Sequence, residues 1–378
     1  MIHMAGLYEK TVPVPPEDYI RVDHESLKNF VGEVFISLNV PREFARIAAD
    51  VLVMADLMGV DSHGVQRLTR YTGGIRMGSV NTKANIRVVH QSTSTALLDG
   101  DSGLGQATAH KAMEIALEKA EESGVSVVAV RNSHHFGMAG YYALQAARNN
   151  MIGIVMTNSE ALVAYTHALG RNLGTNPIAL ASPTKSPPPI LFDAAMAVVP
   201  IGKVEVYAKE GKKIPLGWTM LPNGKLVDDP GKVLAQKGAV LPLGGLGEEL
   251  GGHKGAGLSL IVDLLSGVLT GANWGNNVKH TLNVEPANVG HFMLAMDVNQ
   301  FTPLNQFLEN VERFRGYLKS LPKLSVDSRI WVPGEKAWLT MDTRKRIGIP
   351  IHKNIFQELE DEARKTKVEF KIKKLEES

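Results

Sequence analysis

Two adjacent histidines, His134 and His135, follow an apolar run in the segment VSVVAVRNSHHFGMAGYYALQAARNN, residues 125–150. Val125 to Val130 is typical of a short buried strand, and the apolar spacing from Met138 to Arg148 predicts a helix. In open α/β sheets, ligands bind beyond the carboxyl ends of strands. Because an imidazole exchanges a proton near neutral pH, this position suits acid/base chemistry. A half-buried histidine without a chemical role is the alternative.

A second cluster lies in DSHGVQR, where Ser62, His63 and Arg67 stand around an expected helix start, with Asp61 or Ser62 as the cap. Residues four apart share a helix face, so His63 and Arg67 would lie side by side. An imidazole that moves a proton beside a guanidinium that binds a carboxylate suits a 2-hydroxy or 2-keto acid. Alternatively, His63 caps the helix and Arg67 is a solvated surface charge.

Three further stretches carry polar groups at turns. GTNPIAL enters a strand through a tight polar turn, and LFDAA ends a strand with Asp193, which could orient a histidine and stabilise its imidazolium. GGHKGAGLSL opens a helix, where backbone N–H groups can hold an anion and where His253 and Lys254 add suitable side chains. Each stretch is also typical of an ordinary turn or cap.

Several familiar signatures are missing. The chain has no GxGxxG after a strand with an acidic residue about twenty positions later, and no GxxxxGK[ST] loop. It has no HExxH and no spaced set of metal ligands, so no metal site is predicted, although a metal-dependent hydrolase that uses His134 and His135 remains an alternative. The chain contains no cysteine, which excludes disulfides, thiolate nucleophiles and Cys-ligated metals.

Composition favours an ordinary globular protein. Lys plus Arg is 41 against 39 Asp plus Glu, a balance that predicts neither nucleic acid nor an anionic membrane as partner. The opening stretch MIHMAGLYEKTVPVPPEDYI lacks the apolar core of a signal peptide and is expected to form an extended arm. The best apolar run, Gly255 to Val268, contains Asp263 and is too short to span a membrane. We therefore expect a cytoplasmic protein.

Strands and helices alternate along the chain, which predicts an α/β or mixed α+β fold. Strands are expected in NIRVVH, TALLDG, VSVVAV, MIGIVMTNS and HFMLAMDV. Helices are expected over Ser26–Leu38, Pro41–Met58, Gly105–Glu122, Met138–Arg148, Leu258–Leu269 and Leu304–Leu318, in KVEVYAKEGKKI, and in the charged tail from Lys353. Gly124 is expected to end the helix before it.

Taken together and in order, the polar stretches resemble the type-2 malate/L-lactate dehydrogenase family, from about Tyr19 to Gly348. The resemblance is carried by DSHGVQR, RNSHHFGMAGYYA, TNS, GTNPIALASP, FDAA, GGHKGAGLSLIVDLLSGVLTGA and VPGE. It implies hydride transfer with NAD or NADP on a non-Rossmann sheet domain, and a homodimer or higher homo-oligomer. The implied reaction is oxidation of a 2-hydroxy acid, foremost L-malate to oxaloacetate. The alternatives are an L-sulfolactate or L-lactate dehydrogenase, a cyclic imino-acid reductase, or a catalytically silent nucleotide-binding protein.

The resemblance also implies a domain organisation. Residues 1–18 would form the arm, residues 19–80 a helical part, and residues 81–300 the α/β region that binds cofactor and substrate. Residues 301–378 would form a second helical part that packs back on the first, so that both ends of the chain build one helical domain.

By resemblance, catalytic roles fall to Ser62, His63, His135 and Asp193, and either histidine could be the acid/base. Substrate contacts fall to Arg67 and His253. The cofactor-side positions are His134, Phe136, Gly137, Asn158, Ser159, Gly174, Thr175, Asn176, Pro177, Lys254, Gly255 and Glu335. Two stretches depart from the family pattern: AAMAVV after Asp193 lacks hydroxyl donors, and AYTHALGRN lacks the usual tryptophan–glycine pair.

Overall fold

The strands of the protein form one large sheet and two small ones in a computed structural model that describes Tyr8, residues 17–209 and residues 211–375. The expected arm, residues 1–18, lies mostly outside these described residues. The strands are β1 (Tyr19–Val22), β2 (Arg87–Gln91), β3 (Thr95–Asp99), β4 (Val125–Ser133), β5 (Met151–Thr157), β6 (Ile178–Ser182), β7 (Ile190–Ala194), β8 (Thr219–Met220), β9 (Ala239–Val240), β10 (Val289–Asp297) and β11 (Ile349–His352).

The helices cover the sheet and build a separate layer beside it. They are α1 (His24–Ser37), α2 (Arg42–Leu57), α3 (Leu68–Met77), α4 (Gly105–Ser123), α5 (Ala139–Arg148), α6 (Ile201–Lys209), α7 (Pro230–Ala235), α8 (Gly252–Asp263), α9 (Leu304–Ser320), α10 (Glu335–Ile347) and α11 (Lys353–Thr366). In the described ranges, no helix is both long enough and apolar enough to cross a membrane.

The large sheet has the order β2-β3-β4-β10-β5-β6-β7. Among its described strands only β3 and β4 pair in parallel, and every other neighbouring pair is antiparallel. This pattern differs from the parallel sheet of a Rossmann domain. It agrees with the expected mixed α/β class.

The pairing register brings distant segments to one edge of this sheet. Ser133 at the end of β4 lies opposite Val289, and Thr157 at the end of β5 lies opposite His291. The register of β6 and β7 places Ile178 beside Ala194 at the same edge. The segments that follow β4 and β5, precede β6 and end β7 therefore meet there, although they are far apart in sequence.

The helical layer combines both ends of the chain. Strand β1 pairs with β11 in antiparallel register, so that Tyr19 lies opposite His352. Helix α2 packs on α1, α4 and α10, and α11 packs on α1. One continuous apolar core joins this layer to the sheet through residues such as Leu52, Met113 and Val130.

Most expected helices are present, with small shifts at their ends. Helix α4 ends where expected, and Gly124 closes it in a positive-φ conformation (φ +82°). Helix α8 begins earlier than expected, at Gly252, and continues into a π-helical turn over Leu264–Val268. Strand β4 runs three residues beyond Val130, to Ser133, so that His134 follows it directly.

The expected helix start at Asp61 or Ser62 is wrong. Two short 3-10 turns, Asp61–His63 and Val65–Arg67, come first, and α3 begins only at Leu68, with Arg67 as its cap residue. The Asp61 carboxylate instead accepts a hydrogen bond from Arg344 of α10. A long-range ion pair thus replaces the local cap that the sequence suggested.

A buried network holds these two turns against α2. Arg344 is fully buried, and one of its guanidinium nitrogens donates to both the Asp56 carbonyl and the Asp61 carboxylate. Asp56 Oδ2 accepts the backbone N–H of Val65 at 2.8 Å. Burial and the nearby Asp61 carboxylate hold the pKa of Asp56 well above its usual range. The turns around His63 are therefore fixed by partners from α2 and α10.

Gly64 sits between the two turns because no side chain fits there. A Cβ at this position would lie 1.7 Å from Asp56 Oδ1. We expect Gly64→Ala to displace the Asp56 carboxylate from Val65 and to lower the free energy of unfolding by about 1–3 kcal/mol. Denaturant unfolding followed by circular dichroism measures this change.

Gly32→Ala in α1 is the matched control, because a Cβ there would meet Ala49 Cβ at an ordinary 3.9 Å. We expect that variant to be neutral or more stable by about 0.5–1 kcal/mol, the usual helix preference of alanine over glycine. Equal stabilities of the two variants would contradict the close approach at Gly64.

Candidate active site

A cavity of about 580 Å³ opens where the helical layer meets the edge of the sheet described above. Its volume lies in the range of pockets that hold small molecules. Its walls come from the turn after α2, the start of α5, the end of β7 and the segment before α10. The residues expected from the sequence that line it are Ser62, His63, Gly137, Thr175, Pro177 and Asp193.

His63 and His135 face each other beside this cavity. Their rings stack at 5.5 Å between centroids and 17° between planes. The Ser62 hydroxyl lies 2.9 Å from His63 Nδ1. The Tyr71 hydroxyl lies 2.6 Å from His135 Nδ1, and the backbone N–H of Gly137 donates to the same nitrogen at 3.3 Å. The two expected histidines thus form one pair, and each has a different partner.

Both imidazoles are held in the neutral form. Burial, together with the charges of Arg67 and Arg70, lowers the pKa of His63 to about 4. Burial, Arg70 and His63 lower the pKa of His135 well below its usual range. Neutral imidazoles can accept a proton or donate a hydrogen bond, which are the two tasks that acid/base catalysis on an oxygen requires.

A charged group that the sequence analysis missed lies next to the pair. Arg70 donates to Glu160 Oε2 at 3.2 Å and to Thr281 Oγ1 at 3.0 Å. His280 Nε2 lies 3.8 Å from the other oxygen of Glu160. Burial raises the pKa of Glu160, but the charges of Arg70 and His280 outweigh burial, so that the pKa is lowered overall. Arg70 lies three residues after Arg67, so only its closeness to the DSHGVQR motif could have drawn attention to it.

Arg67 is positioned by the turn that carries His63. Its Nε donates to the Ser62 carbonyl at 2.7 Å. This bond holds the guanidinium beside the imidazole, where its charge contributes to the lowered pKa of His63. Arg67 and His63 are therefore neighbours as expected, although 3-10 turns rather than an α-helix bring them together.

Asp193 lies in the cavity wall at the end of β7. Its Oδ2 accepts the backbone N–H of Gly140 at 2.7 Å, in the first turn of α5. A carboxylate at this position is favoured by the partial positive charge of the helix N-terminus. The structure thus gives Asp193 a contact that positions α5, the helix that follows the His135 segment.

Three of the expected cofactor-side residues lie in the core. His134 is fully buried, its Nε2 lies 2.9 Å from the Ser79 carbonyl, and burial lowers its pKa to about 4. Phe136 stacks on His291 at 4.6 Å. The Asn158 amide donates to Asp263 and accepts the N–H of Gly290. The polar contacts of His134 and Asn158 therefore connect distant segments of the chain.

The GTNP turn ties the segment after β5 to α8. Thr175 N–H donates to Ser159 Oγ at 3.1 Å, and the Asn176 side chain accepts the N–H of Ser159 and donates to the Ser259 carbonyl. A Cβ on Gly174 would lie 2.4–2.6 Å from atoms of Asn176 and Ser159. This packing presents Thr175 and Pro177 to the cavity.

The remaining expected residues lie outside the cavity lining. His253 and Lys254 are exposed at the start of α8, and Lys254 and Gly255 line a separate depression of about 400 Å³. The Glu335 carboxylate is buried and lies 2.6 Å from Lys319 Nζ and 3.8 Å from Arg315 of α9. In the described ranges, no group of three or more His, Cys, Asp or Glu side chains could hold a metal ion.

Comparison with known proteins agrees with this architecture. The family model described as malate/L-lactate dehydrogenase matches residues 22–360. Malate dehydrogenase of Pyrococcus horikoshii is 51% identical over 353 residues, which cover 93% of this chain and 97% of that one. Malate/(S)-sulfolactate dehydrogenase of Methanothermus fervidus is 35% identical over 92% of this chain and 99% of its own. The solved structure of the P. horikoshii protein superposes with a TM-score of 0.89 at 48% identity, covering 96% and 99%.

Arg67 is among the causes that lower the pKa of His63 but not among those that lower the pKa of His134, so the two residues allow a test within one protein. Arg67→Gln removes a charge that lowers the pKa of His63 but does not affect the pKa of His134. We expect the pKa of His63 to rise from about 4 while it stays below 6.5, because burial is the larger cause. Nuclear magnetic resonance titration of labelled histidines measures both values. A His63 that titrates as in the parent protein would disprove the electrostatic coupling.

Proposed function

The chain belongs to the malate/L-lactate dehydrogenase family, and we propose that it oxidises L-malate to oxaloacetate, reversibly, with NAD or NADP as the hydride acceptor. The observation that carries this proposal is the pair of neutral, stacked imidazoles of His63 and His135 beside a cavity and next to Arg67. A hydroxy acid needs one group to exchange its hydroxyl proton and one cation to hold its carboxylate, and this arrangement offers both.

The charges around the pair favour an anionic substrate. Arg67 and Arg70 lower the pKa of both histidines, while Glu160 is paired with Arg70. A bound carboxylate would offset the positive field of the arginines, so that the proton affinity of the histidines would rise when substrate binds. The free site would thus be neutral at the histidines, and the complex would be tuned towards proton exchange.

The described residues fit a nicotinamide cofactor at the cavity wall. Gly137 has a positive φ (+81°), and a Cβ there would point into the core at 2.8 Å from Val51, so the backbone of Gly137 itself lines the cavity. The Thr175 hydroxyl and the Pro177 ring lie in the same lining. We propose that these residues hold the nicotinamide end, and the bound cofactor would take up the hydride from C2 of the substrate. Positioning of the two reactants would supply much of the rate acceleration.

A second copy of the chain is the partner we propose. Helix α8 and the segment after it expose several large apolar side chains. These are Leu258, Leu260, Ile261, Leu264, Val268, Leu269 and Trp274, each between 39% and 59% exposed. A concentration of exposed apolar side chains in one segment supports a protein–protein interface there. A homodimer that buries this surface would also cover the exposed start of α8 with His253 and Lys254.

The experiment that tests the function is a panel of L-malate, L-sulfolactate and L-lactate against NAD and NADP, followed by the absorbance of the reduced nicotinamide. We expect L-malate to give the highest kcat/KM. A cyclic imine in the reverse direction tests the reductase alternative. Nucleotide binding without turnover of any substrate would instead support a silent nucleotide-binding protein.

Substitution of either stacked histidine tests the assignment of the chemistry. We expect His63→Gln and His135→Gln to lower kcat for malate by roughly a hundred- to ten-thousand-fold, the usual contribution of a proton-transfer group. His90→Gln is the matched control, since His90 is exposed on the edge strand β2. Near-normal turnover in both stacked-histidine variants would refute the proposed site.

A charge placed on the apolar surface of α8 tests the dimer. We expect Leu264→Glu to shift the protein towards monomer in sedimentation velocity, because the carboxylate would lose its hydration at the interface. Val89→Glu, at an exposed apolar residue of β2, is the control and should leave the oligomeric state unchanged. A monomeric parent protein would refute this interface.

A further inference from the structure

We propose that Tyr71 is a positioning residue that fixes His135 in one neutral tautomer, with its proton on Nε2. In this tautomer His135 would donate a hydrogen bond to the C2 oxygen of the substrate, while His63 would exchange the proton. The tautomer is a property of the free protein, whereas the division of tasks between His135 and His63 rests on the proposed dehydrogenase function. Tyr71 lies in α3, outside the residues that the family resemblance marked.

The geometry at His135 Nδ1 carries the argument. The Gly137 N–H points at this nitrogen from 3.3 Å, and a backbone N–H can only donate. A proton on Nδ1 would therefore face the proton of Gly137. At 3.3 Å this contact favours a lone pair on Nδ1 but is weak, and the Tyr71 hydroxyl, only 2.6 Å away, fixes the tautomer by donating to the same nitrogen. In a neutral imidazole the remaining proton is on Nε2.

The surroundings of Tyr71 keep its hydroxyl available as a donor. Tyr71 is fully buried, and burial raises its pKa to about 12, so the hydroxyl stays protonated at any working pH. The nearby Gln106 side chain lowers this pKa, but burial is the larger cause. Gln106 is itself fully buried, and neither of its amide atoms has a hydrogen-bond partner among the described residues, so Gln106 does not compete with His135 for the phenol proton. The phenol proton of Tyr71 is therefore available for the contact with His135 Nδ1.

The environment of His63 differs in the respect that matters for proton exchange. Its Nδ1 faces the Ser62 hydroxyl at 2.9 Å, and a hydroxyl can either donate or accept. His63 can therefore hold its proton on Nδ1 and present a lone pair at Nε2, or hold protons on both nitrogens while Ser62 accepts. Since the two rings stack at 5.5 Å, protonation of both at once would place two like charges together.

These constraints assign one task to each ring. In the oxidation, the C2–H bond would break and its electron pair would leave as hydride to the oxidised nicotinamide. The hydroxyl O–H bond would break, its proton would pass to His63 Nε2, and the C2=O double bond would form. His135 would remain neutral throughout and would hold the C2 oxygen by its Nε2–H. In the reduction the same steps run backwards, with His63 as the acid.

Nitrogen-15 spectra of the free protein, labelled at histidine, measure the tautomer directly. The ring shifts separate a protonated from an unprotonated nitrogen, and loss of a signal set in His135→Gln identifies His135. We expect an unprotonated Nδ1 and a protonated Nε2 in the parent protein. In Tyr71→Phe only the longer Gly137 bond remains, and we expect the shifts to move towards a mixture of both tautomers.

Kinetics on the same variant separate positioning from folding. We expect Tyr71→Phe to lower kcat for malate about tenfold with a smaller change in KM. The matched control is Tyr141→Phe. The Tyr141 hydroxyl donates to Asp50 Oδ2 at 2.8 Å rather than to either histidine. We expect this variant to retain the parent tautomer and the parent kcat.

Each outcome decides for or against the proposal. A proton on Nδ1 of His135 in the parent protein would overturn it, and so would a Tyr71→Phe variant with the parent tautomer. If Tyr71→Phe does not fold, the parent spectrum alone decides the tautomer. Because this measurement needs neither cofactor nor substrate, a protein with the expected tautomer but no activity in the substrate panel would refute the proposed function and leave the tautomer established.

Discussion

A guanidinium with no exposure to solvent is costly to bury unless each of its hydrogen bonds finds an acceptor. The acceptors of the fully buried Arg344 include the Asp56 carbonyl and the Asp61 carboxylate. The same contacts join α10, near the end of the chain, to the turn that carries Ser62 and His63. The position of His63 therefore depends on the C-terminal segment being folded onto α2.

Burial and nearby charges also set the protonation of His63 and His135. Both rings lose hydration and lie in the field of Arg67 and Arg70, and their pKa values fall for these two reasons. A free site with neutral imidazoles and cationic guanidiniums attracts an anion without binding a proton first. In the proposed function a bound carboxylate would weaken this positive field and so raise the proton affinity of the imidazoles. The Arg70–Glu160 pair moderates this field, since it places a carboxylate beside one of the two arginines.

The sheet explains why residues so distant in sequence share one cavity. Strand β10 lies between β4 and β5 and runs antiparallel to both, so the ends of β4 and β5 point to the same edge. The antiparallel hairpin of β6 and β7 returns Asp193 to this edge as well. Helical periodicity and strand composition were enough to predict most elements, including α2, α4 and β5. They could not predict that β10 lies between β4 and β5, because these pairs join segments more than a hundred residues apart.

The sequence by itself determined the class of fold, the type of most elements and the residues of the local motifs. A helix face, a glycine that ends a helix and a Ser-His pair each depend on residues that are close together in the sequence. The motif order also identified the family, which the comparisons then confirmed. Only the tertiary structure decided that His63 stacks on His135, that Tyr71 and Gly137 share one nitrogen of His135, and that Asp61 pairs with Arg344 instead of capping α3. Tyr71 and His135 are 64 positions apart, and Asp61 and Arg344 are 283 apart. A hydrogen bond between such residues leaves no periodic or local pattern, because its partners become neighbours only when the core brings their elements together.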